Sequence, residues 1–323
     1  MQTVAIPAAA TPMVEAIRAK LADPAIGKSE NAVDLAALSA FYGARTAGPL
    51  WITEMGFSAK GQQALFEIGQ AGDWGLDATA FDLPAAGELP ASVEAQALAE
   101  IKLDLAILKY ARYARGGRFT PSKVSMLFDQ VPPLRDPKTV LAEIAAAEAP
   151  DAYLRSLHPK HEQFQRLREA LLKARGDGSE EGEKPAANGK DIKRILINME
   201  RWRWLPNDLG SFYVAVNIPE FMLKVMEDGK PAFTTRVVVG KPSNQTPVFS
   251  NDMQTIVFNP YWNVPNSIKM DELLPAIRGG GDFFFGGGMY DASVFARNGL
   301  RVAIGTREVD PSLLDWSRID IRS

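Results

Sequence analysis

The chain has 323 residues, which at roughly 150 residues per domain suggests about two domains. Its 36 Lys and Arg against 39 Asp and Glu leave a net charge of −3, without the broad basic field of a nucleic-acid binder or a polybasic membrane anchor. An apolar fraction of 46% is ordinary for a globular chain, and zero cysteines exclude disulfides, thiolate metal sites, iron–sulfur clusters and a cysteine nucleophile within these residues.

Met1 to Pro7 carry no positive n-region and no apolar h-region, so they do not read as a signal peptide. Ala8-Ala-Ala-Thr-Pro12 is small and Pro-punctuated, and residues 1–30 read as a flexible tail. Such a tail fits a cytoplasmic N-terminus, or an exported protein read from after its leader. Alanine then divides the chain, with 36 in residues 1–175 and six in residues 191–323. Because Ala has the highest helix propensity, the first part is expected to be helical. Helices are predicted over Val33–Arg45, Ala59–Gly69, Glu94–Arg115 and His161–Ala174. The third is the clearest: Leu98, Ile101, Leu105 and Leu108 form one apolar face, and Gly116-Gly117 supply the stop. No apolar run approaches the ~18 to 20 residues of a transmembrane helix.

Residues 176–190 hold four Gly, one Pro and six charges with no large apolar side chain, the composition of a flexible linker. Beyond it the pattern changes to strands. Phe212–Ile218 alternates Val214, Val216 and Ile218 with Ala215 and Asn217. Phe221–Met226 and Phe233–Val239 flank Asp228-Gly229, which suits a type I′ hairpin. Thr255–Phe258 and Leu300–Ile304 are further predicted strands, and Ser267–Arg278 a short helix. The fold class that follows is α+β.

The two histidines fall together in His158-Pro-Lys-His161. A zinc site would need all its remaining ligands from carboxylates, and no Gly-x-Ser-x-Gly elbow supports a serine triad. His158 therefore reads as a surface cap of the helix that follows. Arg278-Gly-Gly-Gly-Asp-Phe-Phe-Phe-Gly-Gly-Gly288 lacks the Lys-Ser/Thr and helix of a phosphate loop and reads as a mobile loop or lid. Glu200-Arg-Trp-Arg-Trp-Leu-Pro206 interleaves arginine with tryptophan. In a chain of this charge it reads as a packed cap of the β-rich domain rather than a base-stacking site.

Several of these stretches carry a family resemblance. Asn198-Met-Glu-Arg-Trp-Arg-Trp-Leu-Pro206, Val216-Asn-Ile-Pro219, Arg236-Val-Val-Val-Gly-Lys241, Gln245-Thr-Pro-Val-Phe-Ser250 and Asn259-Pro-Tyr-Trp-Asn-Val-Pro-Asn-Ser-Ile268 resemble, in order, the catalytic domain of the large L,D-transpeptidases of Gram-negative envelopes. Asp271-Glu-Leu-Leu-Pro275 and Val309-Asp-Pro-Ser-Leu-Leu-Asp-Trp-Ser317 continue the match. Pro49-Leu-Trp51, Asp73–Asp77 and Gly116–Pro121 resemble the scaffold domain of the same enzymes. The resemblance implies a helical scaffold domain followed by a β-sandwich, acting in the periplasm on peptidoglycan stem peptides, with no cofactor and no metal. Such enzymes attack the donor stem with a cysteine thiolate, expel D-Ala and form a 3→3 cross-link. The domains expected are a tail over 1–30, a scaffold over 31–175, a linker over 176–190 and the N-terminal portion of the catalytic domain over 191–323.

Two departures qualify it. The family's Ser-His-Gly-Cys-x-Arg motif and its preceding histidine would lie beyond Ser323, so no catalytic residue carries over and the chain as written is expected to be an inactive truncation. A small peptidoglycan-binding helical module, present in many relatives, is replaced by residues 176–190. What carries over is a set of cleft-bordering positions: Thr246, Pro247, Trp262, Asn263, Pro265 and Ser267. Strand-end packing is the alternative role for them. An alternative for the whole chain is a non-catalytic envelope protein binding peptidoglycan or a protein partner. Behind it stands a carbohydrate-binding β domain using Trp202, Trp204, Tyr261 and Trp262.

Overall fold

In the computed structural model the described residues are 10–26, 30–85, 92–176, 189–278, 292–316 and 318–319. The Ala-rich part is a helical assembly built around one long central helix. Helix α1 (Pro12–Leu21) is followed by α2 (Ala32–Ala44), the short hairpin β1 (Ile52–Thr53) and β2 (Gly56–Phe57), α3 (Ala59–Gly69) and the central α4 (Val93–Ala114). Then come α5 (Pro121–Val124), β3 (Phe128–Asp129), α6 (Pro137–Ala146), α7 (Pro150–Ser156), α8 (Glu162–Arg175) and α9 (Gly189–Arg203).

Local chemistry explains the helix ends. The hydroxyl of Ser58 accepts from Gly61 N–H at 3.1 Å and that of Ser92 from Ala95 N–H at 3.2 Å, each occupying an orphan first-turn donor. Helix α4 stops where Gly116 takes φ 84° and Gly117 N–H closes onto the Arg112 carbonyl at 2.9 Å. Thirteen of its 22 residues are buried, more than one face of a surface helix supplies, because α1, α2, α3, α6 and α7 all pack on it. Trp51, Tyr42, Leu38, Ile68, Ile101 and Leu141 are among the fully buried side chains. At about 1.5–3 kcal/mol for each large apolar side chain, this cluster is the main store of stability.

Pro12–Leu21, which composition places in the tail, is a helix whose Val14 and Ile17 are fully buried. Thr11 is its N-cap and Pro12 its first residue, a helix-start signature that outweighs the small-residue context. Of the expected linker, residues 177–188 lie outside the described residues, while Gly189 and Lys190 already belong to α9.

The β-rich part of the same unit, which extends to Asn251, holds β4 (Phe212–Asn217), β5 (Met222–Glu227), β6 (Lys230–Arg236) and β7 (Val248–Phe249). Strands β4, β5 and β6 form an antiparallel meander. The predicted hairpin is present: Asp228 and Gly229 both have positive φ, 47° and 76°. Register places Val214, Val225 and Phe233 side by side, with Val216 beside Leu223. That apolar face stays open, with Phe212 63% and Phe233 58% exposed. Strand β7 leaves the meander and pairs in parallel with β3 of the helical part, Phe128 opposite Val248 and Asp129 opposite Phe249.

Residues 252–323 form a separate unit. It contains α10 (Asn266–Ile268), a wide π turn over Lys269–Leu273, α11 (Leu274–Arg278), α12 (Ser293–Arg297), β8 (Val302–Ile304) and β9 (Arg307–Val309). Its core is small: Ile277, Phe295 and Trp316, with the last two rings stacked 4.9 Å apart. Thr255–Phe258 is not a strand; the segment is irregular and its Ile256, Val257 and Phe258 are exposed, so alternation without a pairing partner did not suffice. The glycine-rich stretch proposed as a lid falls, from 279 onward, outside the described residues. The architecture is α+β, and among the described residues no helix is long and apolar enough to cross a membrane.

Candidate functional site

The cleft candidates fall in two places. Thr246 and Pro247 end a tight loop in the first unit. The Thr246 hydroxyl accepts from Gly240 N–H at 2.8 Å, and Asn244 N–H closes onto the Lys241 carbonyl at 2.8 Å. A side chain at Gly240 would meet the Asn244 carbonyl at 2.0 Å, so only glycine fits this crossing. Directly after it, Val248 N–H donates to the Leu127 carbonyl at 2.7 Å and starts the β3–β7 pairing. Thr246 thus has a defined local task, closing the turn that delivers β7.

The other four lie in the second unit. Asn259 takes φ 50°, a conformation Asn tolerates better than most residues, and turns the chain into Pro260-Tyr-Trp-Asn263. Tyr261 and Trp262 are 84% and 63% exposed, and Asn263 is exposed. Pro265 sits at the N-cap of α10 and its carbonyl accepts from Lys269 N–H at 3.0 Å, with Ser267 inside the helix. Two exposed aromatics beside an amide form an apolar, hydrogen-bond-capable surface, a chemistry that suits a peptide.

The strongest polar constellations lie in the helical part, and sequence reasoning missed them. Glu100 and Asp104, one turn apart on α4, are fully buried. Glu100 accepts from the backbone N–H of Leu50 and Trp51, and Asp104 from Trp51 Nε1–H at 2.7 Å. The Tyr42 hydroxyl lies 2.8 Å from both carboxyls. A hydroxyl has one proton to donate, so one of these contacts needs a protonated carboxyl. Burial pushes Glu100 up to about 7 and holds Asp104 well above the usual carboxylate range, with the charge of Glu100 adding to it. The pair therefore shares a proton at neutral pH and pins the Leu50-Trp51 backbone to α4. Its sequence signal was an i,i+4 carboxylate pair flanked by Ala99, Ile101, Leu103 and Leu105 in α4.

His158 is not a surface cap. It is fully buried, its ring stacked on Trp74 at 4.3 Å and its Nε2 2.9 Å from the Tyr110 hydroxyl. Burial and the charges of Arg203 and Arg168 hold it well below the usual imidazole range, so it is neutral. Glu67 completes the cluster, accepting from Trp74 Nε1–H at 2.9 Å and Arg155 Nη1 at 2.7 Å. The N-cap of α8 is His161 instead, whose Nε2 lies 2.9 Å from the Pro206 carbonyl. Among the described residues no three His, Cys, Asp or Glu are grouped to hold a metal.

The Arg-Trp run belongs to the helical part too. Trp204 is buried, and Arg203 is buried over the Phe164 ring at 5.1 Å, with Nη2 donating to the Trp74 carbonyl. Glycine makes this seat possible. A side chain at Gly116 would meet the Arg203 carbonyl at 2.8 Å, and one at Gly75 the Met199 sulfur at 3.0 Å, both from positive φ. So the run fixes α9 onto the helical part rather than capping the meander.

Comparison with known proteins gives two family matches along the chain. Residues 36–171 match the scaffold-domain family and residues 211–301 the L,D-transpeptidase catalytic-domain family. A Haemophilus influenzae protein named "Putative L,D-transpeptidase" is 29% identical over 128 residues, which is 40% of this chain and 24% of that protein. The match thus spans about a quarter of the relative's length. Along the chain, a segment similar to the scaffold domain is thus followed by one similar to the L,D-transpeptidase catalytic domain, in the order in which the sequence motifs fall.

Proposed function

We propose that this chain is the scaffold and substrate-positioning part of a peptidoglycan L,D-transpeptidase of the periplasm, one that forms 3→3 cross-links between stem peptides. The observation that carries this is the succession of the two family matches along one chain, 36–171 and 211–301. The domain organisation proposed keeps the scaffold over 31–175 and the N-terminal portion of the catalytic domain within 191–323, whereas the expected tail over 1–30 contains the packed helix Pro12–Leu21 and the expected linker over 176–190 ends where α9 begins at Gly189. Thr246, Pro247, Trp262, Asn263, Pro265 and Ser267 are proposed to border the stem-peptide cleft, with exposed Trp262 as its apolar wall.

The chemistry sets a limit on these residues. Forming the acyl-enzyme requires a thiolate to attack the stem carbonyl while D-Ala leaves with a proton on its amine. The 323 residues contain no cysteine, so they supply no thiolate and are inactive by themselves. Two measurements separate the two statements. Deletion of the gene, followed by muropeptide analysis of sacculi, is expected to lower the share of 3→3 dimers; an unchanged profile overturns the transpeptidase assignment. Intact mass after incubation with a carbapenem is expected to show no adduct on the purified chain, and an adduct overturns its inactivity.

A further inference from the structure

Helix α9 has two apolar faces. Ile192, Ile195, Met199 and Trp202 pack toward Phe164, Leu171 and Trp74. A second stripe, Lys193, Leu196, Ile197, Glu200, Arg201 and, one residue beyond the helix, Trp204, recurs at three- and four-residue steps and lines a groove. The far wall comes from the turns around 72–79 and 118–128. The groove encloses about 830 Å³, within the ~300–1,000 Å³ of ligand pockets. Leu76, Val124, Phe128, Leu196, Ile197 and Trp204 make it predominantly apolar, and Val124 and Ile197 remain exposed at its mouth.

Its charge is in excess on the positive side: Arg118, Arg175, Lys193 and Arg201 line it against Asp77 and Glu200. Among the described residues none of the four cations is in an ion pair, although Arg175 Nη1 donates to the Gly72 carbonyl at 2.6 Å and Arg118 and Arg201 lie over the Phe119 and Phe128 rings at 4.6 and 5.2 Å. Asp77 is occupied by Thr79, whose N–H and hydroxyl donate to it at 3.0 and 2.7 Å. Inside the groove the Trp204 indole N–H and the Glu200 carboxyl lie next to each other without a well-formed hydrogen bond, the two residues being 96% and 93% buried. The nearest cation to Glu200 is Arg203 Nη1 at 3.6 Å, an ion pair without a hydrogen bond. Burial pushes the Glu200 carboxyl up from its ordinary range, against Arg203, Arg118 and the Trp204 indole N–H, which pull it down. Unsatisfied buried donors are costly and uncommon, so a groove that keeps one beside four cations is suited to an acceptor-rich guest.

The spacing selects a peptide over a single anion. Lys193 and Arg201 are eight residues apart, about 12 Å along the helix, with Leu196 and Ile197 between them. A lone phosphate or carboxylate cannot reach both. We propose that this groove docks an acidic peptide segment of a partner protein, its carboxylates on the four cations, its aliphatic or aromatic side chains against Leu196, Ile197 and Phe128, and one of its oxygens accepting from Trp204 Nε1–H. This site does not depend on the transpeptidase assignment.

The test uses the 323-residue chain and fluorescein-labelled twelve-residue peptides alternating Glu or Asp with Leu or Phe, read by anisotropy. The acidic peptide is expected to bind saturably, and the same peptide with every acid replaced by Lys is not. Arg118→Glu with Arg201→Glu, both exposed positions, should weaken binding at least tenfold, and Ile197→Arg similarly, while Lys173→Glu outside the groove leaves it unchanged. In the wild-type chain, hydrogen exchange should slow in 118–128 and 193–204 on adding the peptide, a readout independent of any variant. No saturable binding, equal binding of the Lys peptide, or protection confined to other segments overturns the proposal. Binding of dodecanoate or single-stranded DNA in place of the peptide overturns it in favour of a lipid or nucleic-acid guest.

Discussion

The helical part and the β meander use similar apolar residues to opposite effect. Around α4, Tyr42, Trp51, Ile101 and Leu141 are enclosed by five neighbouring helices. On the meander, Phe212, Val216 and Phe233 line one face and stay exposed. The difference lies in topology rather than composition. A helix surrounded by helices closes its own core, whereas a three-stranded sheet has a face that only another layer can cover. The helical part therefore carries the stability of these residues, and the meander contributes little until its face is covered.

That contrast can be broken or sharpened experimentally. Trp51→Ala should destabilise the helical part by about 3–5 kcal/mol, since it opens a cavity and removes the indole donor from buried Asp104. Urea unfolding followed by circular dichroism reads this directly. Gly116→Ala should cost about 2 kcal/mol, because the added carbon meets the Arg203 carbonyl and φ 84° disfavours alanine. Its signature is faster hydrogen exchange in α9, ahead of α4.

A pH effect comes next. Glu100 is raised from 4.5 to about 7, so between those values the folded state binds more protons than the unfolded one. Stability should then fall as pH rises through this window, by up to about 1.4 kcal/mol per pH unit for one proton. His158, held neutral by burial, acts with the opposite sign below about 6.5. Glu100→Gln should remove this slope and also relax Asp104, which the charge of Glu100 helps to hold up, so the difference between the two stability curves reads the carboxyl pair. The smallest effect is expected on the open sheet face: Phe233→Thr should change stability by less than about 0.5 kcal/mol while lowering binding of a hydrophobic dye. A loss as large as that of Trp51→Ala would show that the face is covered.

Much of the helical part was legible. Ala59–Gly69 matches the expected span because Ser58 caps it and polar turns flank it, and α4 follows the Leu98–Leu108 stripe and the Gly116 stop. The Asp228-Gly229 turn was equally readable, since positive φ at two successive positions selects so few residue pairs. What failed depended on distant partners. His158 looks like a cap until Trp74 and Tyr110, more than forty residues away, close over it. Glu100 and Asp104 drew no reading from the sequence because Tyr42 and Trp51, which supply their hydrogen bonds, lie more than forty residues away. The cleft positions illustrate the same boundary, for motif order locates them in the chain but gives no account of what Trp262 faces.

The parallel pairing of Phe128 with Val248 has a consequence for assembly. Its two strands are 120 residues apart, and closing a loop of that length costs on the order of 4 kcal/mol in chain entropy. A ladder of two residues on each strand cannot offset that. The pairing must therefore form late, on a helical part already folded, and it anchors the Thr246-Pro247 turn to that part. The helical region acts as a template: its edge at β3 decides where the turn after the meander comes to rest.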